Sequence, residues 1–107
     1  MKLHNIKDVI RGWFIGDFEK AVFKTKNCET AIKEYKAGDY EQKHLHKIAT
    51  EISVIINGKV LMNGKTYKKG DIIVMEPGEA TDFKALTDVT NVVVKIPSII
   101  GDKYLVN

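Results

Sequence analysis

Gly38-Asp39-Tyr40-Glu41-Gln42-Lys43-His44-Leu45-His46-Lys47-Ile48-Ala49-Thr50-Glu51-Ile52-Ser53-Val54-Ile55-Ile56-Asn57-Gly58 is the stretch whose reading decides the fold. His44 and His46 are separated by one residue, and side chains alternate between faces in an extended chain, so both imidazoles point the same way. Glu51 comes from the next extended run, where Ser53 and Ile55 share its face. Two imidazoles and a carboxylate converging from neighbouring strands can bind a first-row transition metal, or can move protons without any metal. The residues alone leave both open.

Working outward, the flanking sequence is punctuated as strands. Trp13-Phe14-Ile15, Ala21-Val22-Phe23 and the alternating run Thr30 to Lys36 precede the stretch. After it, Lys59 to Met62, Lys65 to Tyr67, Ile72 to Met75, Asp82 to Leu86 and Thr90 to Ile96 are short apolar or alternating runs. Asn57-Gly58 and Asn63-Gly64 supply the positive-φ pairs of type I′ turns, which predicts a tight antiparallel meander through residues 52 to 67. Further turns are expected at Lys69-Gly70-Asp71 and Glu76-Pro77-Gly78-Glu79. Eight or more short strands at this spacing predict an all-β fold, a sandwich or barrel that removes exposed strand edges. Ile6, Val9 and Ile10 have roughly helical spacing and predict a short N-terminal helix or arm.

Length and composition bound the function. A chain of 107 residues makes about one domain: an arm over 1–12, a barrel over 13–97 and a tail over 98–107. Seventeen basic and fourteen acidic residues are interspersed, without the basic stripe and interleaved aromatics of a nucleic-acid binder. Cys28 is the only cysteine, so no intramolecular disulfide forms, and nothing around it suggests a nucleophile. No apolar run approaches the ~20 residues that cross a membrane, and no signal peptide is visible, so a cytoplasmic location is expected.

In its residues Gly38, His44, His46, Glu51 and Gly58 the chain resembles the cupin family, small jelly-roll β-barrels whose first motif runs Gly-x5-His-x-His-x3-4-Glu-x6-Gly. The likeness extends over about Gly38 to Ile96. It implies that His44, His46 and Glu51 point into the barrel as metal ligands or catalytic groups. The family's second motif begins Gly-Asp, passes through an apolar strand to a Pro-Gly turn, and then supplies a fourth ligand, a histidine. Gly70-Asp71 through Pro77-Gly78 follows it, but Thr81 stands in the histidine position. Three ligands leave coordination positions free, which suits iron, manganese, nickel or zinc with water or substrate completing the shell. Thr81 and Phe83 should share the inward face, and the Thr81 hydroxyl can hydrogen-bond a water or a ligand oxygen.

Each candidate also has a plainer reading. A His-x-His on a strand is often a surface feature, but the matched glycines and Glu51 argue otherwise. A carboxylate buried unpaired would cost several kcal/mol, so Glu51 needs a metal or a protonated histidine beside it. Tyr35, Tyr40 and Ser53 can contact a ligand, or simply pack with their hydroxyls satisfied. Trp13 and Phe14 can stack a ligand, but packing in a core or dimer interface is the more frequent use. Val60 and Met62 should form apolar wall, and Asp82 should turn away from Thr81. The resulting expectation is a homodimeric cupin that binds a sugar, sugar derivative or organic acid at His44, His46 and Glu51. Thr81, Tyr35, Ser53 and Phe83 are its ligand contacts, with isomerase or epimerase chemistry that is metal-assisted or uses the histidines alone. The alternatives are a non-enzymatic binding or sensing module with a degenerate metal site, and an iron(II)-dependent oxygenase.

Overall fold

The computed structural model describes residues 1–107. Period-two alternation produces eleven strands: β1 (Trp13–Gly16), β2 (Phe23–Lys24), β3 (Glu29–Tyr35), β4 (Tyr40–Leu45), β5 (Thr50–Asn57), β6 (Lys59–Met62), β7 (Lys65–Lys68), β8 (Ile72–Met75), β9 (Thr81–Ala85), β10 (Val89–Ile96) and β11 (Tyr104–Leu105). A six-stranded sheet runs β2-β1-β3-β10-β5-β8 and a five-stranded sheet runs β11-β4-β9-β6-β7. The two sheets face each other, which agrees with the all-β sandwich or barrel expected from the turn spacing and with the jelly roll that the resemblance implies.

Register decides what each sheet turns inward. In the six-stranded sheet Lys95 lies between Glu29 and Glu51, Val93 between Ala31 and Ser53, and Val92 between Ile32 and Val54. Residues opposite one another share a face, so the Lys95 and Val93 rows point inward and the Val92 row points out. The outer rows are aliphatic. Ile32, Val92, Val54 and Ile72 form one, and Thr30, Val94, Ile52 and Val74 the next. On the edge strand β8, Ile72 and Val74 are 65% and 50% exposed.

One end of the barrel is filled by Ile55, Val60, Met62, Phe83, Ala85 and Val89, with Tyr35, Tyr67, Ile73 and Met75 packed against them. Val60 and Met62 are the apolar wall expected of them. The other end stays open as a cavity, and that division fixes where chemistry can occur.

The meander expected through residues 52 to 67 is only half present. Asn63-Gly64 does make the hairpin turn between β6 and β7, with φ of 48° and 78°. At Asn57-Gly58 the chain instead leaves one sheet for the other, because β5 pairs with β10 and β8 while β6 pairs with β7 and β9. Asn57 remains in the ladder opposite Thr90, and only Gly58 turns left-handed, at φ 92°. A Cβ there would stand 2.3 Å from the Asp88 carbonyl oxygen. The Asn-Gly pair therefore marks a corner between sheets and not a hairpin.

The ends are more ordered than an arm and a tail. Asn5 caps a single 3-10 turn, Ile6–Asp8, through a reciprocal capping box with Asp8. The 98–107 stretch, expected as a tail, carries β11, which pairs Tyr104 with Leu45 and Leu105 with His44. It belongs to the five-stranded sheet.

Gly58→Ala should lower stability by about 2–4 kcal/mol, since it combines backbone strain with a clash that the Asp88 carbonyl cannot relieve. Gly64→Ala, at φ 78° with open space around its Cβ, should lose only about 1 kcal/mol. Urea unfolding of both variants checks the contrast. Equal losses would show that Gly58 is an ordinary turn glycine.

Candidate metal centre and ligand cavity

The site begins with an irregularity in β4. Glu41 lies opposite Phe83 and His44 opposite Thr81, three residues on one strand against two on the other, so a bulge lies between them. Strict alternation would turn Gln42 inward with His44. The bulge turns Glu41 inward instead. His44 and His46 then continue on the inward side, their rings 5.4 Å apart and edge to face.

Glu51 reaches the same space from β5. The ligating atoms of His44, His46 and Glu51 all lie within 4.8 Å of one another. Donors ~2.1 Å from one ion at tetrahedral or cis-octahedral angles stand ~3.0–3.4 Å apart, so the widest pair would close by roughly 1.5 Å, within reach of side-chain rotation.

Hydrogen bonds outside the cavity set the histidine tautomers. The Nδ1 of His44 is 2.9 Å from the Gln42 carbonyl oxygen, and the Nδ1 of His46 meets the carbonyl oxygen of Asp102. A carbonyl only accepts, so each Nδ1 carries the proton. Each Nε2 is left as the ligating atom, the arrangement in which an outer carbonyl fixes a metal-binding imidazole. The Nε2 of His46 is buried, 3.3 Å from Glu51 Oε1, yet makes no aligned hydrogen bond. A lone pair facing a carboxylate is repulsive, and either a proton on Nε2 or a cation on both groups relieves it. This donor set of two imidazoles and a carboxylate fits a divalent first-row ion.

The electrostatics agree. Contact with Glu51 holds the His46 pKa above its ordinary value, against the opposing effect of burial. Burial by itself would raise the Glu51 carboxyl, but His46, Lys95 and His44 outweigh it and bring the group below the ordinary range. Glu51 is an anion awaiting a partner.

Asp102 organises the loop that carries His46. Its Oδ1 accepts from Lys47 N at 3.0 Å, and its Oδ2 accepts from Ile48 N at 3.1 Å and Ala49 N at 2.9 Å. Burial works to raise this carboxyl, and the three N–H groups reverse the effect and lower it. One residue thus holds both the loop, through its side chain, and the imidazole, through its backbone.

The cavity behind these groups has a volume of about 550 Å³. Of the residues expected from the sequence, Ser53, Thr81, Phe83 and Tyr35 all line it. Thr81 is opposite His44, and its hydroxyl donates to the Asp82 carbonyl at 2.7 Å, so its oxygen faces the ligand side as an acceptor only. Tyr35 packs on Phe83 with ring centroids 4.6 Å apart. Burial, followed by the charges of Glu41 and Glu51, raises its pKa and keeps the phenol protonated. Tyr40 is exposed, and Asp82 faces away to accept from Asn63 N at 2.8 Å. Trp13 lines the cavity wall, whereas Phe14 does not.

Sequence reasoning missed five residues. Lys33, Asn91 and Lys95 line the cavity on β3 and β10, and alternation with Tyr35 and Val93 would have revealed them. Glu41 was hidden by the bulge. Asp102 gave no signal, since nothing local announces a carboxylate whose partners lie more than fifty residues away.

Asp102→Ala should lower stability by about 2–4 kcal/mol by stranding loop N–H groups, and Asp102→Asn by about half as much. Because the folded carboxyl is depressed, its contribution is complete above the unfolded value of about 3.9 and is lost as pH falls through the lower folded value. Denaturant titrations between neutral and acid pH check both statements. If wild type and Asp102→Asn show the same acid dependence, the carboxylate is not the anchor.

No family model and no curated protein matches the sequence. Solved structures do match. A protein with a double-stranded β-helix domain from Klebsiella pneumoniae is 19% identical over 100% of this chain and 98% of its own, with a TM-score of 0.75. The DMSP lyase DddQ from Ruegeria pomeroyi is 21% identical over 87% of this chain and 49% of its own, with a TM-score of 0.72. A sugar phosphate isomerase of the cupin superfamily from Silicibacter pomeroyi is 16% identical over 67% of this chain and 52% of its own, with a TM-score of 0.62. The chain spans about half the length of the last two. Likenesses at this identity concern fold, and they agree with the two facing sheets: this chain has the double-stranded β-helix fold that the cupin structures share.

Proposed function

We propose that this cupin holds a divalent first-row metal ion, iron, manganese, nickel or zinc, on His44, His46 and Glu51. There it catalyses an isomerisation or epimerisation of a sugar, sugar derivative or organic acid. The observation that carries the proposal is the pair of Nδ1 protons held by carbonyls, which directs both Nε2 lone pairs and the Glu51 carboxylate toward one point. The ion supplies a Lewis acid that polarises a ligand oxygen and so acidifies the neighbouring C–H. Thr81 accepts a hydrogen bond from a ligand hydroxyl, Tyr35 donates one, Ser53 offers a further polar contact, and Phe83 forms wall. The reaction type draws support from structural neighbours named as a sugar phosphate isomerase and a lyase.

A metal-free reading is favoured by one observation, the 3.3 Å contact between His46 and Glu51. In it His46 is the proton carrier and Glu51 sets its basicity. Elemental analysis of protein purified without a histidine tag separates the two. Close to one equivalent of a first-row metal is expected, falling severalfold in His44→Ala, His46→Ala and Glu51→Gln. Less than about a tenth of an equivalent, with no uptake on incubation, ends the metal proposal and leaves the acid–base one. Metal affinity should weaken about tenfold per pH unit below the raised His46 pKa, because one proton must leave for the ion to bind.

We also propose that two copies pair through the outer face of the six-stranded sheet. The support is the two aliphatic rows across β3, β10, β5 and β8, with Ile72 and Val74 exposed at their edge. Sedimentation should give a dimer, and Ile72→Lys with Val74→Lys a folded monomer. A monomeric wild type at tens of micromolar rules this out.

A further inference from the structure

The wall of the cavity across from the histidines carries charge and polarity beyond the His44, His46 and Glu51 set. Lys33 and Asn91 are cross-strand partners on β3 and β10, and Lys95 lies one residue beyond Val94 on β10. The Lys33 ammonium is 5.8 Å from the Trp13 ring centroid and the Lys95 ammonium 4.9 Å from the same centroid. Both cations are thus gathered against one indole. Neither makes a direct ion pair: Lys95 lies cross-strand between Glu29 and Glu51, and Glu41 is the carboxylate that acts most on Lys33, but none of the three comes within contact distance. Asn91 is 2% exposed, lines the cavity, and its Oδ1 has no hydrogen-bond partner.

Buried polar groups without partners are rare, and semi-buried ammonium groups that touch no carboxylate are costly. A cluster of two such lysines and one such amide is expected where a bound molecule supplies what is missing. Between the Asn91 and Lys95 rows the wall is made of Ala31, Val93 and Ser53, small side chains that leave room. Asn91 and Lys95 are ~13 Å apart along the strand, but the lysine stems bring both ammonium groups within 5.8 Å of the Trp13 centroid, so the two charges converge on one spot.

We propose that Lys33, Asn91 and Lys95 form a carboxylate-recognition subsite, so that the ligand is a small hydroxy- or keto-carboxylate whose other oxygens face His44, His46 and Glu51. The lysines neutralise the carboxylate, the Asn91 Oδ1 accepts a hydrogen bond from an adjacent ligand hydroxyl, and the Trp13 ring covers the subsite. A monoanion fits better than a phosphate dianion, because Glu29 and Glu41 face the same cavity and oppose a second negative charge. The subsite deepens the proposed function by naming the substrate class, and it rests on that reading for the orientation of the ligand.

The test is calorimetric titration of the full chain with pyruvate, lactate, gluconate and glucuronate, each beside its uncharged amide, and with inorganic phosphate. At least one carboxylate should bind about tenfold or more tighter than its amide and tighter than phosphate. Lys33→Met and Lys95→Met should each weaken that binding about tenfold, Asn91→Ala severalfold, and Lys33→Arg, which retains the charge, by less than about threefold. Circular dichroism verifies folding, and should Lys33→Met not fold, Lys95→Met and Lys33→Arg carry the comparison. The proposal is overturned if none of the four carboxylates binds, if amide or phosphate binds as well, or if both Met variants bind like wild type. Repeating the titrations after chelation keeps the two ideas apart. Lysine-dependent binding in a chain that takes up no metal sustains the subsite and ends the metal reading. Metal uptake with lysine-independent binding does the reverse.

Discussion

A charge enclosed between two apolar sheets must find a partner or lose its charge, and the interior of this barrel is arranged around that constraint. Glu51 stays ionised because His46, Lys95 and His44 surround it, although burial opposes it. The cross-strand row Glu29, Lys95, Glu51 places a cation between two carboxylates on one face of the six-stranded sheet. Where burial outweighs the nearby charges, the equilibrium moves instead. Burial raises the Glu29 pKa and lowers that of Lys33, each toward its neutral form. At the filled end of the barrel the buried cluster, with Ile55 and Val60 fully enclosed, is built of apolar side chains.

This division of labour gives the fold two unlike ends. Aliphatic and aromatic side chains at one end supply the burial that holds the sheets together. The other end keeps polar groups near one another without satisfying all of them, and the His46 Nε2 and Asn91 Oδ1 atoms are the clearest cases. Stability and chemistry are thus drawn from different rows of the same strands. The stable end also fixes the registers on which the open end depends, since a slip by one residue would exchange Lys33 and Tyr35 for Ile32 and Glu34.

Much of this was legible in the sequence, and what was not has physical reasons. His44, His46 and Glu51 could be placed on inward faces because strand alternation is a rule of covalent geometry and holds wherever the strand is regular. Asn63-Gly64 could be read as a hairpin because both of its residues take positive φ. Asn57-Gly58 has the same letters but a different outcome, since the pairing partners of β5 and β6 lie in separate sheets and no local pattern encodes that. Glu41 escaped because a bulge adds a residue that alternation does not count. Asp102 escaped because its three N–H partners are distant in sequence, and a lone aspartate near a chain end has no distinguishing neighbours.

Asp102 also separates two kinds of integrity in this chain. The apolar cluster of Ile55, Val60, Met62, Phe83, Ala85 and Val89 lies wholly before Ile96 and does not include residue 102. The loop from Lys47 to Ala49, by contrast, takes its carboxylate from Asp102, and the His46 ring takes from it the carbonyl that fixes its tautomer. A barrel that lost this one contact would have walls but no settled ligand geometry. Being folded and being competent are therefore different conditions for this chain.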